Sequence, residues 1–147
     1  MMAKSKYDKY IITRPKPSSA GGDIKDGSDV ITPMVYMDDN IVKGAFYLEA
    51  SWFSKPTKLS PPTHTHDFDE ALSFFGSDPK DYTDLCGEVE LWLGDEKLIL
   101  TKSCTVFVPR GTKHCPMIIR RVDKPIFHFS TGTSGKYLRD FGLIATD

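Results

Sequence analysis

Residues 61–76 read Pro61-Pro62-Thr63-His64-Thr65-His66-Asp67-Phe68-Asp69-Glu70-Ala71-Leu72-Ser73-Phe74-Phe75-Gly76. On an extended backbone side chains alternate with a period of 2, so the imidazoles of His64 and His66 point to one face, where a first-row metal can take both. Glu70 keeps that parity. It opens the run Glu70 to Phe75, which reads as a strand with Glu70, Leu72 and Phe74 on one side. A second stretch, Pro109-Arg110-Gly111-Thr112-Lys113-His114, carries the third of the chain's four histidines. His114 then arrives from a distant strand to close a site of three imidazoles and one carboxylate.

Around these two stretches the chain is strand-like. Gly44 to Phe53 is one such run and Glu88 to Leu93 another, in which Val89, Leu91 and Leu93 alternate with Glu88, Glu90 and Trp92. That alternation gives one apolar and one mostly polar face. Gly94-Asp95 turns the chain into Glu96 to Leu100; Thr105 to Val108 is stopped by Pro109, and Ile126 to Phe129 is a late apolar strand. Only Lys136 to Phe141 has a helical pattern. Short strands punctuated by Gly and Pro at regular spacing predict an all-β sandwich or barrel. Near the start, Tyr7 to Ile12 is strand-like, and Arg14 to Gly22, with two prolines and two glycines, reads as a loop. A chain of 147 residues suits one domain with a real core: an N-terminal arm and strands over 1–43, a barrel core over 44–130 and a tail over 131–147.

The pairing His64-x-His66-x-x-x-Glu70, with Gly76 after it, and Pro109-x-Gly111-x-x-His114 resembles the two-part signature of the cupin superfamily over residues 44 to 130. The resemblance implies a double-stranded β-helix, or jelly roll, with His64, His66, Glu70 and His114 as metal ligands. The chain departs from the family pattern at Ser103, where Gly is usual, and at Ile118, where Asn is usual. Neither is a ligand, so these bear on the subfamily rather than on the metal. Ser77 to Cys86 reads as an insertion between the motifs. N-terminal strands of the family commonly pack on a second subunit, which implies a homodimer with Tyr7 to Ile12 contributing; a loosely attached terminus is the alternative.

Nineteen basic and 20 acidic residues leave a net charge of −1, with no basic cluster longer than Arg120-Arg121, so nucleic-acid and membrane-surface roles have no electrostatic support. No apolar run approaches a membrane span, and the first residues lack the apolar centre of a secretory signal, which predicts a cytoplasmic protein. Three cysteines, 86, 104 and 115, suit reduced thiols. Cys115, next to His114, should point away from it on a regular strand and reads as a small buried side chain.

Neutral imidazoles with one carboxylate suit a divalent transition metal, Fe, Mn, Ni or Zn among them. Four protein ligands on a six-coordinate ion leave positions for substrate or dioxygen. Asp67 and Asp69, at odd parity, read as solvated acids or as partners of a ligand imidazole. His128 lies between Phe127 and Phe129, whose claim on the core predicts an outward histidine. Arg110 and Lys113, in the turn before His114, are candidates to attract a substrate carboxylate. Leu72 and Phe74 are candidates to line an apolar cavity beside the metal. Three functions fit: a metalloenzyme for a small oxygenated or aromatic metabolite, of dioxygenase, isomerase or decarboxylase type; a non-catalytic small-molecule-binding cupin; and a metal-free structural protein, which the intact ligand set disfavours. The shortness of the chain, with no helix-turn-helix or tandem domain, makes a regulator or storage role the less expected form of the second.

Overall fold

The computed structural model describes residues 4–17 and 29–136. The helical pattern over 136–141, apart from Lys136, lies outside the described residues, as do the tail beyond 136 and residues 18–22 of the expected loop. Among the described residues eight strands carry the fold: β1 Ile31–Met37, β2 Leu48–Phe53, β3 Glu70–Phe75, β4 Asp84–Leu93, β5 Glu96–Lys102, β6 Cys104–Val108, β7 His114–Val122 and β8 Ile126–Gly132. They form two antiparallel sheets, ordered β1-β2-β8-β3-β6 and β5-β4-β7, so the predicted all-β jelly roll is the fold observed. Among the described residues no helix is long and apolar enough to cross a membrane.

The core lies between the sheets. Phe53, Leu72 and Phe74 come from the larger sheet, and Val89, Leu91, Met117 and Ile119 from the smaller. The alternation seen along β4 is the cause, since Val89 and Leu91 are fully buried. Burying each such side chain stabilises by roughly 1.5–3 kcal/mol.

Several expectations need correction. Tyr7 to Ile12 is no strand; Asp8–Tyr10 is a 3-10 turn. Asp8 accepts from the Ser5 N–H and Ser5 Oγ from the Tyr7 N–H, so local side-chain bonds offer the backbone an alternative to a sheet. The run from Gly44 becomes a strand only at Leu48, because Gly44 has φ +86° and Ala45 N–H closes a turn onto Val42 C=O. β4 begins at Asp84 rather than Glu88, so the last three residues of the expected insertion belong to that strand. β1 and β7 carry Pro33 and Pro116, which hid them in the sequence. Both are edge strands, where a missing N–H is tolerated.

β8 also has the opposite parity from that expected. It pairs His128 with the buried Phe74 and with Ser51, and Phe127 with Trp52 and Phe75. Directly opposed residues share a face, so His128 points into the barrel and Phe127 and Phe129 point out. The phenylalanines find partners outside: Trp52 and Phe127 rings lie 5.1 Å apart, and Phe75 stacks on Phe129 at 6.1 Å.

The free edge of β7 is covered by the segment 57–64. Thr57 bridges Ile119, Ser60 Oγ accepts from Met117 N–H, Thr63 Oγ1 donates to Cys115 C=O, and His64 bridges His114. This zipper delivers the first motif to the second.

Candidate metal centre

Backbone pairing positions the histidines. His64 and His114 exchange two N–H···O=C bonds, of 3.1 and 3.0 Å, and Gly111 N–H donates to His66 C=O at 2.9 Å. Gly111 has φ +78°, a left-handed turn that a residue without Cβ adopts at no steric cost. Asp69 Oδ1 accepts from Arg110 N–H at 2.9 Å. Its side chain therefore ties the first motif to the backbone of the second. Arg110, Lys113 and Asp67 are exposed.

The result is a cluster of buried polar groups at one end of the barrel interior. His64, His66, Glu70 and His114 are each 4% exposed or less. The three ring centroids lie 4.3, 4.7 and 5.0 Å apart. Glu70 Oε1 is 3.5 Å from His66 Nε2 and 3.1 Å from His114 Nε2. Donor atoms of His66, Glu70 and His114 lie within 4.8 Å of one another, as do those of His64, His114 and Cys115. The structure thus brings together all four residues singled out in the sequence and adds a fifth.

Hydrogen bonds orient the rings. His64 Nδ1 lies 2.6 Å from Pro62 C=O and His114 Nδ1 3.0 Å from Thr112 C=O. A carbonyl only accepts, so each Nδ1 carries a proton, and a neutral ring so held presents its lone pair at Nε2. Burial, the dominant effect, holds His64 down at about 4, so that ring is neutral at pH 7. Burial alone would raise Glu70; the adjacent His114, His66 and Tyr47 outweigh it and hold the carboxyl at about 2, so it is ionised. His114 Nε2, 3.1 Å from that carboxylate, makes no hydrogen bond. Both atoms are available as ligands to a cation held between them.

Three supporting residues lay beyond the reach of the sequence. Tyr47, fully buried, donates its hydroxyl to Glu70 Oε2, leaving Oε1 toward the histidines. Phe68 stacks on His66 at 4.6 Å and meets Tyr47 edge-on at 5.6 Å. Gly132, paired with Glu70 across β3 and β8, makes room for both: a Cβ there would sit 2.5 Å from the Phe68 ring and 2.8 Å from that of Tyr47. Cys115 corrects the expectation that it faces away. Its φ of 74° breaks strand alternation, and its thiol lies inside, buried and pushed up to about 12 by desolvation and then by Glu70. His128 is the other correction. Its Nδ1 donates to Ser73 C=O at 2.9 Å, its ring stacks on Phe74 at 4.6 Å, and burial holds it at about 4.

The donor set fits a transition metal: imidazole nitrogens and one anionic oxygen, buried and converging. No protein-family model and no curated protein matches the sequence. Solved structures do match. A conserved protein with a double-stranded beta-helix domain from Klebsiella pneumoniae superposes with TM-score 0.56 at 11% identity, covering 95% of this chain and 96% of that one. An oxalate oxidase gives 0.52 at 16%, over 90% and 72%. The polyketide cyclase RemF from Streptomyces resistomycificus gives 0.51 at 17%, over 99% and 89%. At these identities the likeness is one of fold.

Proposed function

We propose, from the premise that this chain is a cupin by fold, that it is a metal-dependent enzyme for a small oxygenated or aromatic metabolite, of dioxygenase, isomerase or decarboxylase type. His64, His66, Glu70 and His114 hold one divalent transition metal, Fe, Mn, Ni or Zn. One observation carries this reading: the buried Nε2 of His114, without a hydrogen-bond donor, facing an ionised carboxylate at 3.1 Å. When bound, the ion supplies Lewis-acid polarisation of substrate oxygens. The chain's own residues do the rest. Pro62 and Thr112 carbonyls set the tautomers of His64 and His114, and Tyr47 turns Glu70. Phe68 shields His66 from water, and Leu72 and Phe74 offer apolar surface on the strand face that bears Glu70. His128 adds a neutral imidazole on the inner face, stacked on Phe74. Two of the fold's neighbours carry enzyme names, an oxalate oxidase and a polyketide cyclase, which supports an enzyme in the broad sense.

The test is water-proton relaxation of the manganese-loaded protein. Coordination positions open to substrate hold exchanging water, so relaxivity is expected to be enhanced and then to fall as oxalate or catechol displaces it. A manganese-loaded protein whose relaxivity no bidentate oxygen donor alters would contradict the proposal.

We also infer a cytoplasmic homodimer. Its three cysteines are free, as suits a reducing compartment. Tyr7, Tyr10 and Ile11 on the arm are each more than half exposed, and the arm is anchored beside β1 by the Tyr36 N–H to Arg14 C=O bond. The outward Phe75 and Phe107 add uncharged apolar surface on the same sheet. Such surface is complementary to a second copy of itself.

A further inference from the structure

Two donor sets overlap at His114. One is His66, Glu70 and His114, two nitrogens and a hard oxygen; the other is His64, His114 and Cys115, two nitrogens and a soft sulfur. The second exists because Cys115 is not in strand conformation. With φ 74° its side chain leaves the outer face of β7 and enters the core at 6% exposure, where Sγ comes within 4.8 Å of a ring nitrogen of both histidines. The buried His114 Nε2, which has no hydrogen-bond partner, lies at the junction of the two sets.

We propose that Cys115 is a sulfur ligand of this centre, engaged when the ion is thiophilic, such as zinc or cobalt, and left as a thiol when it is manganese. The inference rests on the reading of the histidines and Glu70 as a metal site and extends it to metal selection. Thiolate favours zinc and cobalt, whereas carboxylate accommodates manganese equally well. On binding, the S–H bond breaks, a sulfur–metal bond forms and the proton passes to solvent; no electron is transferred. Neither Cys86 nor Cys104 belongs to a donor group among the described residues, so a sulfur signal is assignable to Cys115.

The experiment strips the protein of metal and reloads it with one equivalent of cobalt. Visible d–d absorption reports occupancy, and a near-ultraviolet sulfur-to-cobalt charge-transfer band reports the thiolate. Wild type is expected to show both. Cys115→Ser is expected to keep the d–d bands and lose the charge-transfer band, with its preference for zinc over manganese reduced at least ~10-fold. X-ray absorption on zinc-loaded wild type needs no variant and is expected to find one sulfur at about 2.3 Å. Cobalt d–d bands in wild type without charge transfer, together with a zinc shell of nitrogen and oxygen only, would overturn the role of Cys115 and leave the metal site standing. Absence of d–d bands from wild type would overturn both.

Discussion

Glu70 and Asp69 are neighbours with opposite duties. Glu70 turns into the barrel beside two Nε2 atoms, while Asp69 accepts from Arg110 N–H. Glu70→Gln keeps the shape and removes the anion, so the metal dissociation constant measured by titration should rise by more than about 100-fold, beyond what outer partners cost. Asp69→Asn keeps an acceptor for Arg110 and should do much less. Tyr47→Phe, which deprives Glu70 Oε2 of its donor, should weaken the metal by roughly 10- to 100-fold. His128 predicts a pH dependence. Burial holds its folded value at about 4 against an ordinary 6.5, so between these the unfolded chain binds the extra proton and stability falls as pH is lowered. Denaturant titrations of the metal-free protein should lose roughly 3 kcal/mol through this residue by pH 4, at about 1.4 kcal/mol per pH unit. His128→Leu should flatten the curve in part, since His64 is depressed to about 4 in the same window. At this scale the four proposed ligands were legible, because their spacing holds over one extended segment and one turn. Cys115 was not, since a positive φ leaves no mark on a cysteine, and Tyr47 was not, since it meets Glu70 from 23 positions away.

Elements were legible where alternation and a turn residue coincide. β3, β5, β6 and the Gly94-Asp95 hairpin follow this rule. The rule fails at edges, where β1 and β7 admit proline, and at β8, whose outward phenylalanines imitate a core strand. Apolar side chains do not declare a face when an aromatic outer layer is available to receive them. The departure from family pattern at Ser103 has an element-scale cause: its Oγ accepts from Gly76 N–H at 2.9 Å and donates to Tyr82 C=O, closing the loop between β3 and β4. Gly132 in β8 packs directly against two rings. Gly132→Ala forces its Cβ against Phe68 and Tyr47, so unfolding free energy should drop by about 1–3 kcal/mol. Metal affinity should fall with it, because the displaced rings orient His66 and Glu70. Loss of stability with unchanged affinity would show that Phe68 and Tyr47 do not position the ligands.

For the molecule as a whole, two sheets enclose a core that accounts for the fold, and the proposed chemistry sits where 57–64 zips onto β7. The arm lies outside this economy, since Tyr7, Tyr10 and Ile11 bury little against their own chain. Light scattering is expected to give twice the chain mass for the intact protein and less for a form lacking the first dozen residues; a monomer in both would refute the dimer. Elemental analysis of protein purified without chelator is expected to find close to one transition metal per chain in wild type and its loss in His66→Ala and His114→Ala; full occupancy in both variants would contradict the metal centre.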